Sequence, residues 1–144
     1  MIALASDHGG FKLKEALIAH LNKKGESFKD LGIYSEAPAD YPDIAEILCK
    51  AVLSGECAKG VIVCGTGIGV SIASNRLPGI RAALCHDPFD ARLSRQHNDA
   101  NVLALGGRVT GPDLACATLD EFLNTDFSGD ERHKARINKI EALR

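Results

Sequence analysis

Val61-Ile62-Val63-Cys64-Gly65-Thr66-Gly67-Ile68-Gly69 holds the residue types best suited to chemistry in this chain. A short apolar run ends on a cysteine, and glycines at alternate positions follow it. The run has the length and composition of a buried parallel strand. The glycines allow a tight bend and can bring bare N–H groups up to an anion. A thiol beside such a loop suits nucleophilic or proton-transfer chemistry, and an enzyme is the leading expectation.

Two nucleotide readings of the same glycines compete with it. A phosphate-binding P-loop requires Lys followed by Ser or Thr after its last glycine, where this chain has Val70-Ser71. The dinucleotide fingerprint comes nearer: Gly65 and Gly67 fit, and Asp87 lies at a suitable distance beyond them. Its third glycine falls one position early, at Gly69, so nucleotide binding stays a minority reading.

Asp7-His8-Gly9-Gly10 forms a second reactive turn, although Asp7 equally suits a helix cap. His97 closes a helical pattern at Gln96-His97-Asn98-Asp99. It therefore belongs either to a helix C-cap or to the site of a second subunit. Arg132 and Arg136 are four apart and share a helix face, with Arg108 as a possible third cation. Paired guanidinium groups match the oxygens of a phosphate, yet arginines at this spacing also line ordinary solvated faces.

The elements that must position these residues alternate between strand and helix. Ile2 to Ala5, Ser27 to Leu31, Gly60 to Cys64, Arg81 to Leu84 and Val102 to Leu105 read as strands. Helices are expected over Phe11 to Lys24 with Gly25 as the stop, from Pro42 to Ser54, over Val70 to Asn75, and from Pro88 to His97. A further helix begins at Gly111-Pro112 with Ala115, Thr118, Leu119, Phe122 and Leu123 as its stripe, and a polar one runs from Asp130 to the end. Strands separated by helices require crossovers and a parallel sheet covered on both faces. A Rossmann-like α/β/α sandwich with five parallel strands follows. Ligands bind such sheets outside the carboxyl ends of the strands. The turns after the first and third strands would face each other there, while His97 would sit at the opposite edge.

With 144 residues, a single domain over 1–144 is expected. A formal net charge of −2, with 45% hydrophobic and 25% charged residues, argues against nucleic acid as a partner. The basic residues Arg132, His133, Lys134, Arg136, Lys139 and Arg144 fit a small anion or a solvated helix face. Cys49, Cys57, Cys85 and Cys116 suit packing, and no paired spacing suggests a structural metal. The strand-like start at Met1 leaves no room for a signal peptide and no stretch suits a membrane span, so a cytoplasmic protein is expected.

Taken together, Ser6-Asp7-His8-Gly9-Gly10, Asp40-Tyr41-Pro42-Asp43, Cys64 to Gly69, Ser94 to Asn101 and Gly106-Gly107-Arg108 make the chain resemble the B-type ribose-5-phosphate isomerase family. That family includes allose- and galactose-6-phosphate isomerases. The resemblance implies a cofactor-free aldose–ketose isomerase of sugar phosphates, built as a dimer or dimer of dimers. Each site would be completed by the neighbouring subunit, with the helix from about 130 to 144 packing on or reaching into that partner.

By this resemblance, Cys64 is the base that moves a proton between C1 and C2. Thr66 handles the proton between the two oxygens, and His97 opens the furanose ring with help from Asp7. His8, Arg108, Arg132 and Arg136 hold the phosphate, and Asn98 binds sugar hydroxyls. Gly65, Gly67 and Gly69 cradle the enediolate. Some relatives use glutamate at the position of Val70; this chain has Cys64 and Val70, which places it with the cysteine-base subgroup. A basic thiol must be ionised, and backbone N–H groups with the N-terminus of the helix after Gly69 would favour the thiolate. Ribose 5-phosphate is the expected substrate. Six-carbon sugar phosphates and, more remotely, a phosphate-binding module are the alternatives.

Overall fold

A computed structural model describes residues 1–143; Arg144, the last member of the basic cluster, lies outside the described residues. The strands are β1 (Ile2–Ser6), β2 (Phe28–Asp30), β3 (Lys59–Cys64), β4 (Ala82–Leu84) and β5 (Val102–Gly106). The helices are α1 (Phe11–Lys24), α2 (Tyr41–Leu53), α3 (Ile68–Ser74), α4 (Pro88–Asn98), α5 (Pro112–Asn124) and α6 (Glu131–Glu141), with a 3-10 turn at His8–Gly10. All pairings are parallel and the sheet order is β2-β1-β3-β5-β4.

Side chains of a strand alternate between faces, which sorts the core into two layers. Leu4, Val61, Val63, Leu103 and Leu105 pack against Leu13, Leu17 and Leu21 of α1, Ala91 of α4, and Leu119 and Phe122 of α5. Ala3, Ala5, Ile62 and Ala104 pack on the opposite face, against Ile44 and Leu48 of α2 and Val70 of α3. Each fully buried leucine contributes about 1.5–3 kcal/mol by leaving water. The expected three-layer α/β/α sandwich is the observed fold.

Most boundaries shift by at most a residue, and three elements change by more. β2 shortens to three residues at the sheet margin. The last helix ends at Glu141. The third helix starts at Ile68 rather than Val70, because Gly67 supplies its cap in the left-handed region at φ 79°. Gly69 therefore lies inside the helix and not in the loop before it. The helix N-terminus expected after Gly69 forms on its other side.

From β1 the chain passes to β2 on one flank and then returns to β3 on the other. The crevice between the carboxyl ends of β1 and β3 is thus a topological switch point, where open α/β sheets bind ligands. β5 lies between β3 and β4, so β4 is an edge strand. Among the described residues, no helix is long and apolar enough to cross a membrane.

Candidate active site

Three backbone turns interlock at the carboxyl edge. Register pairs Ser6 with Val63 and Cys64 with Gly106, so the turns after β1, β3 and β5 stand side by side. The Asp7 N–H donates to the Val63 carbonyl at 3.2 Å, Gly107 N–H to the Cys64 carbonyl at 2.8 Å, and Arg108 N–H to the Gly65 carbonyl at 2.9 Å. Glycine is required where the turns touch. A Cβ on Gly107 would stand 2.7 Å from the Gly9 carbonyl oxygen, and one on Gly67, at φ 79°, 2.9 Å from the Leu105 carbonyl carbon.

Cys64 ends β3, buried at 5% exposure. The Gly67 N–H donates to its Sγ at 3.1 Å, so the loop aims a backbone donor at the sulfur. A charged acceptor takes such a bond more strongly than a neutral one. The other four cysteines are pushed up from the ordinary thiol range by burial, Cys85 to about 12, as befits packing residues.

Around Cys64, Asp7 is buried and its Oδ1 accepts from Gly10 N–H at 3.1 Å, so the capping role is real. His8 is exposed, and its Nδ1 accepts from Ala39 N–H at 3.2 Å. Thr66 is exposed with Oγ1 accepting from Ile68 N–H at 3.2 Å. The exposed Arg108 runs over Gly65, its Nη1 3.1 Å from where a Cβ on that glycine would stand. Asp7, His8, Cys64, Gly65, Thr66, Gly67, Gly69 and Arg108 thus share one edge.

His97, Asn98, Arg132 and Arg136 do not join them. α4 ends at Asn98, and Asp99 caps it at φ 44° before the chain enters β5 at its amino end. The rise of a strand separates that level from Gly106 by about 13 Å. α6 packs on α4 at this same end. Arg81 fastens it, donating from Nη1 to Glu141 Oε1 at 2.5 Å and from Nε to the Asn98 carbonyl at 2.9 Å. Arg132 and Arg136 project from α6 as exposed side chains. His97 stacks on His133 of α6 with ring centroids 4.4 Å apart.

The expected phosphate ligands are therefore split, with His8 and Arg108 at the carboxyl edge and Arg132 and Arg136 at the amino edge. The nucleotide alternative fails on geometry. Asp87 spends its side chain capping α4, accepting from Asp90 N–H at 2.8 Å, and follows an edge strand two places from β3.

Four supporting residues escape a reading of the sequence. Lys14 is fully buried and donates to Asp30 Oδ1 and to the Ile33 carbonyl, both at 2.6 Å. Its position among Leu13, Leu17 and Leu21 on the apolar stripe is the available signal. Tyr41 lies over Gly69, its ring 2.8 Å from where a Cβ would stand. Arg81 and His133 organise the amino edge, and nothing in their spacing announces it. Among the described residues, no group of three or more His, Cys, Asp or Glu side chains is arranged to hold a metal ion.

A parallel α/β sandwich that gathers a thiol and glycine turns at the carboxyl edge of its sheet has the architecture of a small-molecule enzyme. Comparison with known proteins gives the particular family. The family model described as Ribose/Galactose Isomerase matches residues 2–140. Ribose-5-phosphate isomerase B of Escherichia coli (strain K12) is 46% identical over 142 residues, which cover 99% of this chain and 95% of that protein. The structure of a ribose 5-phosphate isomerase from Thermotoga maritima superposes with a TM-score of 0.96 at 51% identity, covering 99% of this chain and 97% of that one. Ribose-5-Phosphate Isomerase B of Clostridium thermocellum gives a TM-score of 0.95 at 48% identity, covering 97% and 94%. The chain belongs to the ribose/galactose isomerase family, whose members are sugar isomerases.

Proposed function

We propose that the protein interconverts D-ribose 5-phosphate and D-ribulose 5-phosphate through a cis-enediolate, in a site shared by two copies of the chain. The observation that carries this reading is the Cys64 thiol in the β1–β3 crevice of a chain so similar to ribose-5-phosphate isomerases B.

In this reading the Cys64 thiolate takes the C2 proton of the open-chain aldose and returns a proton to C1. The C1–C2 electron pair passes through the enediolate, and Thr66 carries a proton between O1 and O2. With the Gly67 N–H held by the Cys64 sulfur, the N–H groups of Gly65 and Gly69 are the loop donors left for the developing oxyanion, a contribution of about 3–4 kcal/mol per donor in comparable sites. Asp7 assists at a ring oxygen or hydroxyl. His8 and Arg108 hold the phosphate from the same chain.

His97, Asn98, Arg132 and Arg136 act from a neighbouring subunit. Their location at the edge opposite Cys64 supports this, because a symmetric pair of chains can set one edge against the other. His97 protonates the furanose ring oxygen, Asn98 binds hydroxyls, and the arginines complete the phosphate grip. Phosphate binding remote from C1 and C2 holds the reacting carbons in register. A dimer or dimer of dimers, acting in the cytoplasm and within pentose phosphate metabolism, fits this chemistry. The reading requires no cofactor, and turnover is expected to be unchanged by EDTA.

Prolonged turnover in D₂O is expected to wash deuterium into C1 of ribulose 5-phosphate. Product free of deuterium after many turnovers would indicate hydride transfer instead. kcat/KM is expected to be higher for ribose 5-phosphate than for allose or galactose 6-phosphate, and the reverse order would reassign the substrate.

A further inference from the structure

His133 is the buried residue of α6, and the mechanism above gives it no task. Its ring lies on that of His97, with centroids 4.4 Å apart and planes inclined by 19°. Arg132 Nη2 stands 3.4 Å from His133 Nε2, at the long end of hydrogen bonding. Guanidinium has donors only, so Nε2 can meet it only as a lone-pair acceptor. That contact selects the neutral tautomer with its proton on Nδ1.

We propose that His133 is a positioning residue that orients the His97 imidazole by stacking and couples it through Nε2 to Arg132. The ring-opening group and one phosphate-gripping guanidinium would then move as a unit. The inference rests on the reading of His97 as the ring-opening residue.

Electrostatics agrees with the geometry. Burial holds His133 below the ordinary histidine range, helped by positive charge on His97 of α4 and on Arg132 and Arg136 of α6, with Asp130 at the cap of α6 opposing. A protonated His133 would lose its acceptor and repel both partners. The neutral ring can do both jobs.

Two variants separate the jobs. His133→Phe keeps a flat ring for stacking and removes the acceptor, whereas His133→Asn removes the ring. Each is assayed on ribose 5-phosphate and on its 4-deoxy analogue, which lacks the hydroxyl that closes a furanose. Displacing a catalytic group by an ångström costs up to about 10²-fold. His133→Asn is accordingly expected to lose about tenfold or more in kcat on ribose 5-phosphate but less than about threefold on the analogue. His133→Phe should recover kcat to within about threefold of the parent while its KM rises several-fold, because Arg132 loses the group that holds it.

Equal losses by both variants on both substrates would overturn the proposal, as would wild-type kinetics in His133→Asn. His97→Ala, run alongside, isolates the underlying reading. If it too loses equally on both substrates, ring opening by His97 fails, and His133 has nothing to position. If only His97→Ala shows the selective loss, the His133 inference alone is wrong.

Discussion

The two edges of the sheet are built differently. At the carboxyl edge the backbone makes the site: three turns cross within van der Waals contact, and Gly67 N–H meets the Cys64 sulfur at 3.1 Å. At the amino edge side chains dominate, with exposed arginines on a surface helix and His97 stacked on His133. Interlocked backbone has little freedom to lose and suits a proton transfer that depends on tenths of an ångström. Long cationic side chains tolerate motion and suit an anion that must enter and leave. Under the proposed function, proton transfer between C1 and C2 belongs to the carboxyl edge and ring opening to the amino edge, both edges share the phosphate, and neither edge is complete by itself.

The contrast can be broken from the carboxyl edge first. Cys64→Ala is expected to lower kcat by about 10²–10⁴-fold, the usual worth of a general base, with the circular dichroism spectrum unchanged. Residual activity above about a hundredth of the parent would remove Cys64 from the base role. Lys14→Met leaves Asp30 partly buried without its partner, and a broken buried pair costs about 3–5 kcal/mol. Urea unfolding should show that loss, and an unchanged midpoint would mean that the Lys14 network does not brace this edge.

At the amino edge the effects should be smaller and of another kind. Arg136→Ala is expected to raise KM for ribose 5-phosphate with kcat largely kept, by the roughly 1.5–3 kcal/mol of a hydrogen bond to a charged group. A change confined to kcat would place Arg136 in the chemical step. The smallest effect concerns His133, whose folded-state value lies below the ordinary 6.5. The unfolded chain therefore binds the proton more readily than the folded one as pH falls below 6.5, and this site favours the folded state less there. Thermal melts of the parent should lose more stability between neutral and mildly acid pH than those of His133→Phe. Identical pH dependence in the two would show that His133 titrates freely.

Much of this was legible in the residues. β1 and β5 are buried throughout and β3 at every residue but Lys59, and continuous apolar runs announce them. The Gly25 stop behaves as read, in the left-handed region at φ 71°. α3 was harder, because glycine is a poor helix former and Gly69 reads as loop although Tyr41 packs on it inside the helix. The first and third strands pair as expected, but the rest of the strand order was not legible, since local patterning says nothing about which strands pair. In retrospect, the shorter and partly exposed run of β4 marks it as an edge. Asp7, His8, Cys64 and Arg108 could be located because each lies at the carboxyl end of a strand or within two residues of it. His133 could not, because in sequence it is one more basic residue on a polar helix, and its burial arises only when α6 docks on α4. Lys14 was obscured for a related reason: a lysine counts as solvated until its ammonium is seen between Asp30 and Ile33.

The central claim is that one site draws on both edges of different subunits, and a mixed dimer tests it most directly. Cys64→Ala and His97→Ala chains carrying different affinity tags can be co-expressed and the heterodimer purified. In a twofold dimer with shared sites, one of its two sites carries both substitutions and the other carries neither. The heterodimer should then turn over ribose 5-phosphate at about half the parental rate, far above either variant alone. A heterodimer no more active than the mean of the two variants would contradict the account and return each complete site to a single chain.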